Sequence, residues 1–186
     1  PTYFNKLLAS IGDKPKNDAF EDIDFYSCVV ESYNNQTGES RAYTDNLTDK
    51  ELEKITILNC GYRNIESASG IEKLTGLETL YFYGNYNAKN INLSSNTKLK
   101  EVDLSNISLK NVDLSNNTEL TNLTLNSTQL TDIDLSNNTN LTNLSLDYNQ
   151  LTHINLSNNT ALTNLNLNYN ELTDIDLSNN TALTYL

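Results

Sequence analysis

The sequence predicts an α/β solenoid: a right-handed superhelix with a parallel inner sheet, short outer strands and a helical cap at its N-terminal end. Three observations carry this expectation. A 21-residue repeat runs through the second half of the chain, each repeat holds two alternating apolar pairs, and the front end carries helical patterning but no repeat.

The non-repeating front comes first. Tyr3 to Ile11 places Phe4, Leu7, Leu8 and Ile11 on one face of a short helix. Phe20 to Tyr33 reads as a second helix, with Ile23, Phe25, Val29 and Val30 apolar. The polar string NNQTGES over 34–40 reads as a loop. Thr48 and Glu51 have the spacing of a capping box, in which the Glu side chain turns back to the N-cap residue. An open solenoid end exposes apolar core and unpaired strand groups, so residues 1–54 are expected to form a cap.

The repeats occupy residues 55–186. Units start at Leu120, Leu141 and Leu162 with a step of 21, and the next begins at Leu183 and is partial. Looser copies start at Leu99 and, with a step of 22, at Leu77 and Ile55. Leu144-x-Leu146 is a strand period, since alternate side chains share a face. One such strand buries nothing alone, but the next coil, about 4.8 Å away, covers it and pairs its backbone. Ile133-x-Leu135, Ile154-x-Leu156 and Ile175-x-Leu177 repeat the alternation and predict the outer strands.

Asn96, Asn117, Asn138, Asn159 and Asn180 form one column at the repeat step. Asn85, Asn149 and Asn170 form a second, interrupted by Ile107 and Thr128. Buried asparagines at tight turns satisfy backbone groups of adjacent coils, so both columns are expected to be structural.

With LxxLxLxxNxL followed by xxIDLxxNxx, residues 55–186 resemble the leucine-rich-repeat superfamily in its bacterial 21-residue form. SGIEKLTGLETL over 69–80 is closer to the 22-residue internalin type. The stretches FEDIDFYSCVVESYNN and LTDKELEKITILNC resemble the caps of secreted bacterial repeat proteins. The resemblance implies a secreted or surface-attached bacterial protein that recognises another macromolecule. It implies fold more strongly than any particular function.

Charge narrows the partners. The chain has 24 Asp+Glu against 12 Lys+Arg, a formal charge of −12. Beyond Lys110 there are eight carboxylates and no Lys or Arg. Such a surface repels phosphate backbones, so nucleic acid and anionic membrane are disfavoured, while a basic protein or a cation is tolerated. No apolar run reaches the roughly 18 residues needed to span a bilayer, so direct membrane insertion is not expected. The chain lacks Met, which suggests a processed or excised piece of a longer protein, with a C-terminal continuation expected.

Catalytic chemistry is not expected. The single histidine, His153, has no nucleophile–base constellation around it in the repeat register. No cofactor motif and no metal site are expected either. Asp132, His153 and Asp174 fall in one outer column beside Asp134, Asn155 and Asp176, which reads first as a solvated face rather than a cation bridge. Cys60 occupies a core position of the first unit and Cys28 the apolar face of the second helix. Both read first as buried thiols; a disulfide pinning cap to first coil is the alternative, allowed by an oxidising compartment.

The concave inner face is the expected binding surface. Its outward positions hold Tyr81, Tyr83, Asp103, Asp147, Tyr148, Tyr169 and Tyr185, with Asn59, Tyr62, Ser and other Asn residues among them. Tyrosine supplies rigid, amphipathic contact area, and Tyr/Ser/Asn mixtures are typical of paratopes. Tyrosine is also a good strand residue that merely covers a sheet. The function expected is non-catalytic recognition of a protein or glycan ligand: protein–protein binding or adhesion, with a carbohydrate-binding module and a structural spacer as alternatives. The near-identical last three repeats weigh towards the spacer.

Overall fold

A computed structural model describes residues 17–186; the helix expected over Tyr3 to Ile11 lies outside them. Helix α1 spans Ile23–Thr37 and a single-turn helix α2 spans Asp49–Leu52. Six strands follow: β1 Ile57–Asn59, β2 Thr79–Tyr81, β3 Glu101–Asp103, β4 Asn122–Thr124, β5 Asn143–Ser145 and β6 Asn164–Asn166. They form one sheet in sequence order, every pair parallel. Register advances by 22 residues from β1 to β3 and by 21 thereafter, and Tyr185 adds a bridge to Asn164. The chain is therefore the solenoid that its repeat predicts.

Each strand is three residues long, and its central side chain points inward. Leu58, Leu80, Val102, Leu123, Leu144 and Leu165 are all buried there. Burying a Leu or Val is worth about 1.5–3 kcal/mol, and the gain accrues only when the next coil is present. Threonine adds a second tie: Oγ1 of Thr121, Thr142, Thr163 and Thr184 donates to a carbonyl of the preceding coil, each at 3.1 Å.

The two asparagine columns are structural. Asn138 Nδ2 donates to Leu114 O at 3.0 Å and Asn117 O at 2.9 Å, and Asn96, Asn117, Asn159 and Asn180 repeat the pattern. Asn149 also bridges, and its Oδ1 accepts from the Thr128 and Leu130 backbone N–H.

The short outer strands do not form: among the described residues every strand belongs to the inner sheet. Ile133 and Leu135 are buried as their alternation predicts, but the neighbouring backbone groups are taken locally. Asp134 Oδ1 accepts from Ser136 N, and Asn138 N donates to Leu135 O. The asparagine amides, not a strand ladder, join the coils there.

The front end also differs from expectation in one respect. Helix α1 runs on to Thr37, through the stretch read as loop, and ends at Gly38 with φ 74°, the left-handed C-cap that glycine favours. That extra turn delivers Gln36 to the open edge of β1. Gln36 Oε1 accepts from Thr56 N and Ile57 N, and Nε2 donates to Ile57 O at 2.7 Å. One side chain thus pairs the groups an edge strand leaves exposed. Asp22 adds a clamp: Oδ1 caps α1 through Asp24 N and Phe25 N, while Oδ2 accepts from Glu66 N and Ser67 N in the first coil. At α2, Glu51 takes the Thr48 N–H at 2.8 Å, as its spacing predicts.

Cys28 and Cys60 are joined in a disulfide, which overturns the expectation of two free thiols. The core position of Cys60 and the apolar face of α1 are the same place, because α1 packs directly on β1. No helix among the described residues is long and apolar enough to cross a membrane.

Candidate recognition face

Four columns make up the face that the sheet turns outward. Two lie on the strands themselves, one on the residues just after them, and one on the turn beyond. The structure separates the expected site residues among these columns rather than gathering them in one patch.

A trough of about 270 Å³ runs across the strands. Tyr81, Asp103 and Tyr185, three of the expected site residues, line it. So do Glu101, Asn122, Asn143 and Asn164, which the sequence reading passed over. Their signal was available: Glu101, Asn122, Asn143 and Asn164 precede Asp103, Thr124, Ser145 and Asn166 by two residues, and strand alternation puts both members of each pair on one face. Tyr81 OH donates to Glu101 Oε1 at 2.8 Å, and this bond, followed by burial, raises the Tyr81 pKa. Asn143 Nδ2 donates to Asn122 Oδ1 at 3.0 Å, which links two of the amides that line the trough.

The turn column is the more unusual. Tyr62, Gly84, Asn106, Ser127, Tyr148 and Tyr169 occupy equivalent positions of six successive coils, and all have positive φ, between 54° and 71°. Glycine and asparagine suit that conformation, whereas a bulky residue there is an outlier. Tyr148 and Tyr169 nonetheless stack, with centroids 4.2 Å apart and planes 9° from parallel, and are 56% and 70% exposed. A hydrogen bond with Tyr169, then burial and the Tyr169 and Asp147 fields, raises the Tyr148 pKa.

At the other end, Tyr62 and Tyr83 meet edge to face at 5.2 Å. Each ring lies over a glycine of the neighbouring coil. A Cβ on Gly84 would overlap the Tyr62 ring, and one on Gly61 would come within 2.6 Å of Tyr83 Cε2. Tyr83 thus packs against Tyr62, which the expected site residues do not include.

Asp147 lies between trough and turn column. Its Oδ2 accepts from Asn166 Nδ2 at 2.6 Å, and its Oδ1 is buried with no hydrogen-bond partner. Asp103 Oδ1 accepts from its own turn, at Ser105 N. On the opposite, outer face His153 Nε2 lies 3.6 Å from Asp132 Oδ1, both side chains well exposed. No group of three or more His, Cys, Asp or Glu side chains suited to a metal occurs among the described residues.

A parallel inner sheet built on a 21-residue step, tied by asparagine ladders and closed by a helix at one end, gives this chain a leucine-rich-repeat fold, consistent with the bacterial type. Among known proteins it is similar to Internalin J of Listeria monocytogenes serotype 4b, at 37% identity over 81 residues. That match covers 44% of this chain and 8% of the relative. Among solved structures, an internalin C2 from Listeria monocytogenes matches 93% of this chain and 86% of its own, with TM-score 0.72 and 28% identity. The functional domain of InlJ from the same organism matches 93% of this chain and 46% of its own, with TM-score 0.58 and 28% identity. That domain is described as including a cysteine ladder; this chain has two cysteines, both in one disulfide. No family model matches the chain.

Proposed function

We propose that this protein is a non-catalytic recognition module that binds another protein through the outward face of its inner sheet. The likeness to internalins supports a recognition role in general terms. The observation that carries the specific reading is the tyrosine pair at positive φ. Two large, exposed rings stand where the backbone favours glycine or asparagine, and outliers of this kind cluster at ligand sites. The site comprises Tyr81, Tyr83, Asp103, Asp147, Tyr148, Tyr169 and Tyr185, with the cap over 1–54 and the repeats over 55–186 as its scaffold. The Cys28–Cys60 disulfide supports a secreted or cell-surface location, where such bonds persist.

A carbohydrate ligand is the second reading, favoured by the Asn122–Asn143 amide pair lying in a trough that Tyr81 and Tyr185 also line. Amides bond hydroxyls, and tyrosine rings stack on sugars. The test is a screen of the chain against surface proteins and a glycan array, with Tyr148→Ser/Tyr169→Ser in parallel. Binding to a protein that the variant loses supports the first reading. Binding only to glycans moves it to the second. No binding by a folded chain leaves the structural spacer.

A further inference from the structure

The turn column has a gap in it. Between the Tyr62–Tyr83 pair and the Tyr148–Tyr169 stack, the equivalent positions hold Asn106 and Ser127, both small. Coils in a parallel sheet are about 4.8 Å apart, so the notch between the second and fifth coils is roughly 14 Å wide. Its C-terminal wall is Tyr148, one face of whose ring Tyr169 of the next coil covers while the side chain stays 56% exposed.

Asp147, beside the notch, and Glu101 and Asp103, on the neighbouring strand columns, lack cations. Glu101, Asp103 and Asp147 face the same side of the sheet, and none belongs to an ion pair among the described residues, whereas Glu78 pairs with Lys100 at 2.8 Å. The chain supplies no Lys or Arg beyond Lys110 that could neutralise them. Asp147 Oδ2 is held by one amide from Asn166 in the next coil and its Oδ1 is buried without a partner, so no group among the described residues neutralises its charge. An aromatic face beside uncompensated carboxylates attracts a guanidinium or ammonium group by both cation–π and Coulomb terms. A neutral sugar would use the ring but not the charge.

We propose that the notch holds an extended, arginine- or lysine-bearing segment of the protein partner, with a cationic side chain seated on Tyr148 beside Asp147. This rests on the recognition reading above and names the partner's chemistry. Arginine fits better than lysine, because its planar group stacks on a ring while its edge donates to a carboxylate. The Tyr62–Tyr83 pair forms the far wall.

The test uses the whole chain and a fluorescein-labelled hexa-arginine peptide, read by anisotropy, with a neutral Gly-Ser peptide and a glycan array beside it. Tyr148→Asn/Tyr169→Asn keeps residues that accept positive φ, so the fold survives while the rings go. We expect hexa-arginine to bind, the double variant to weaken it about tenfold, and Asp147→Asn to weaken it severalfold. Tyr148→Phe keeps the ring face and is expected to bind as the parent does. Asp134→Asn, on the outer face, removes the same charge as Asp147→Asn and is expected to have little effect.

Equal losses for Asp147→Asn and Asp134→Asn would mean that only net charge attracts the peptide, and would overturn the proposal. No hexa-arginine binding, with a glycan or neutral protein bound and then lost in the double variant, overturns it too but leaves the recognition face standing. If neither peptide, glycan nor surface protein is bound by the folded chain, the recognition reading falls with it.

Discussion

Tyr148 and Tyr169, one repeat apart, stack face to face at 4.2 Å from backbone positions with φ of 54° and 56°. The arrangement sets a local cost against a local gain. A left-handed residue with a Cβ costs roughly 1–2 kcal/mol, and a stacked aromatic pair returns about 0.5–1.5 kcal/mol. Tyr148→Asn is therefore expected to change unfolding free energy by less than about 1 kcal/mol. Urea denaturation checks this. A loss of more than about 2 kcal/mol would show the stack to be a structural support instead.

Neighbouring asparagines should behave oppositely. Asn138→Ala removes the amide that ties Leu114 O and Asn117 O to the next coil, while each carbonyl keeps a backbone donor, Asn117 N and Leu120 N, so the loss of two buried hydrogen bonds is expected to cost about 1–3 kcal/mol. Asn137 is exposed and donates only to Ser115 O at 3.2 Å. Asn137→Ala is expected to stay within about 0.5 kcal/mol. Paired denaturation curves decide it.

The disulfide closes a separation of 32 residues between helix α1 and β1. Loop-closure entropy gives it about 3–4 kcal/mol, and Cys28→Ser/Cys60→Ser is expected to lose roughly that. Hydrogen exchange should show the loss concentrated at α1 and the first coil, where Gln36 and Asp22 hold the same junction. Uniform loosening across all coils would contradict this.

Acid sensitivity has a built-in control. Asp113, Asp134 and Asp176 each accept from the serine two residues on, through side chain and backbone, which lowers their pKa values. A carboxylate with a depressed folded pKa contributes stability above its unfolded pKa and loses it as pH falls through the folded value. Asn155 makes the same turn bond to Ser157 N without titrating. The variant with all three aspartates changed to Asn is thus expected to keep the fold at neutral pH. Its stability should fall less steeply than the parent's below about pH 4, measured by thermal melts.

Among these elements, some were legible from sequence and others were not. The repeat step alone determines the parallel sheet, its order and the buried Leu or Val of each strand, because every coil meets the same environment and one pattern is read six times. It determines the asparagine ladders too, since a polar residue at a regular core position has to satisfy backbone groups. The outer strands were misread because apolar alternation reports burial, not pairing: Ile133 and Leu135 are buried while Asp134 and Asn138 take the local hydrogen bonds. The tertiary structure alone decided what depends on contacts between non-repeating parts or on backbone sign. Gln36 on the β1 edge, Asp22 between cap and coil, and the Cys28–Cys60 bond each join residues more than 19 apart with no periodic relation. The left-handed column under Tyr62, Tyr148 and Tyr169 is equally silent in the sequence, because tyrosine does not advertise positive φ as glycine does.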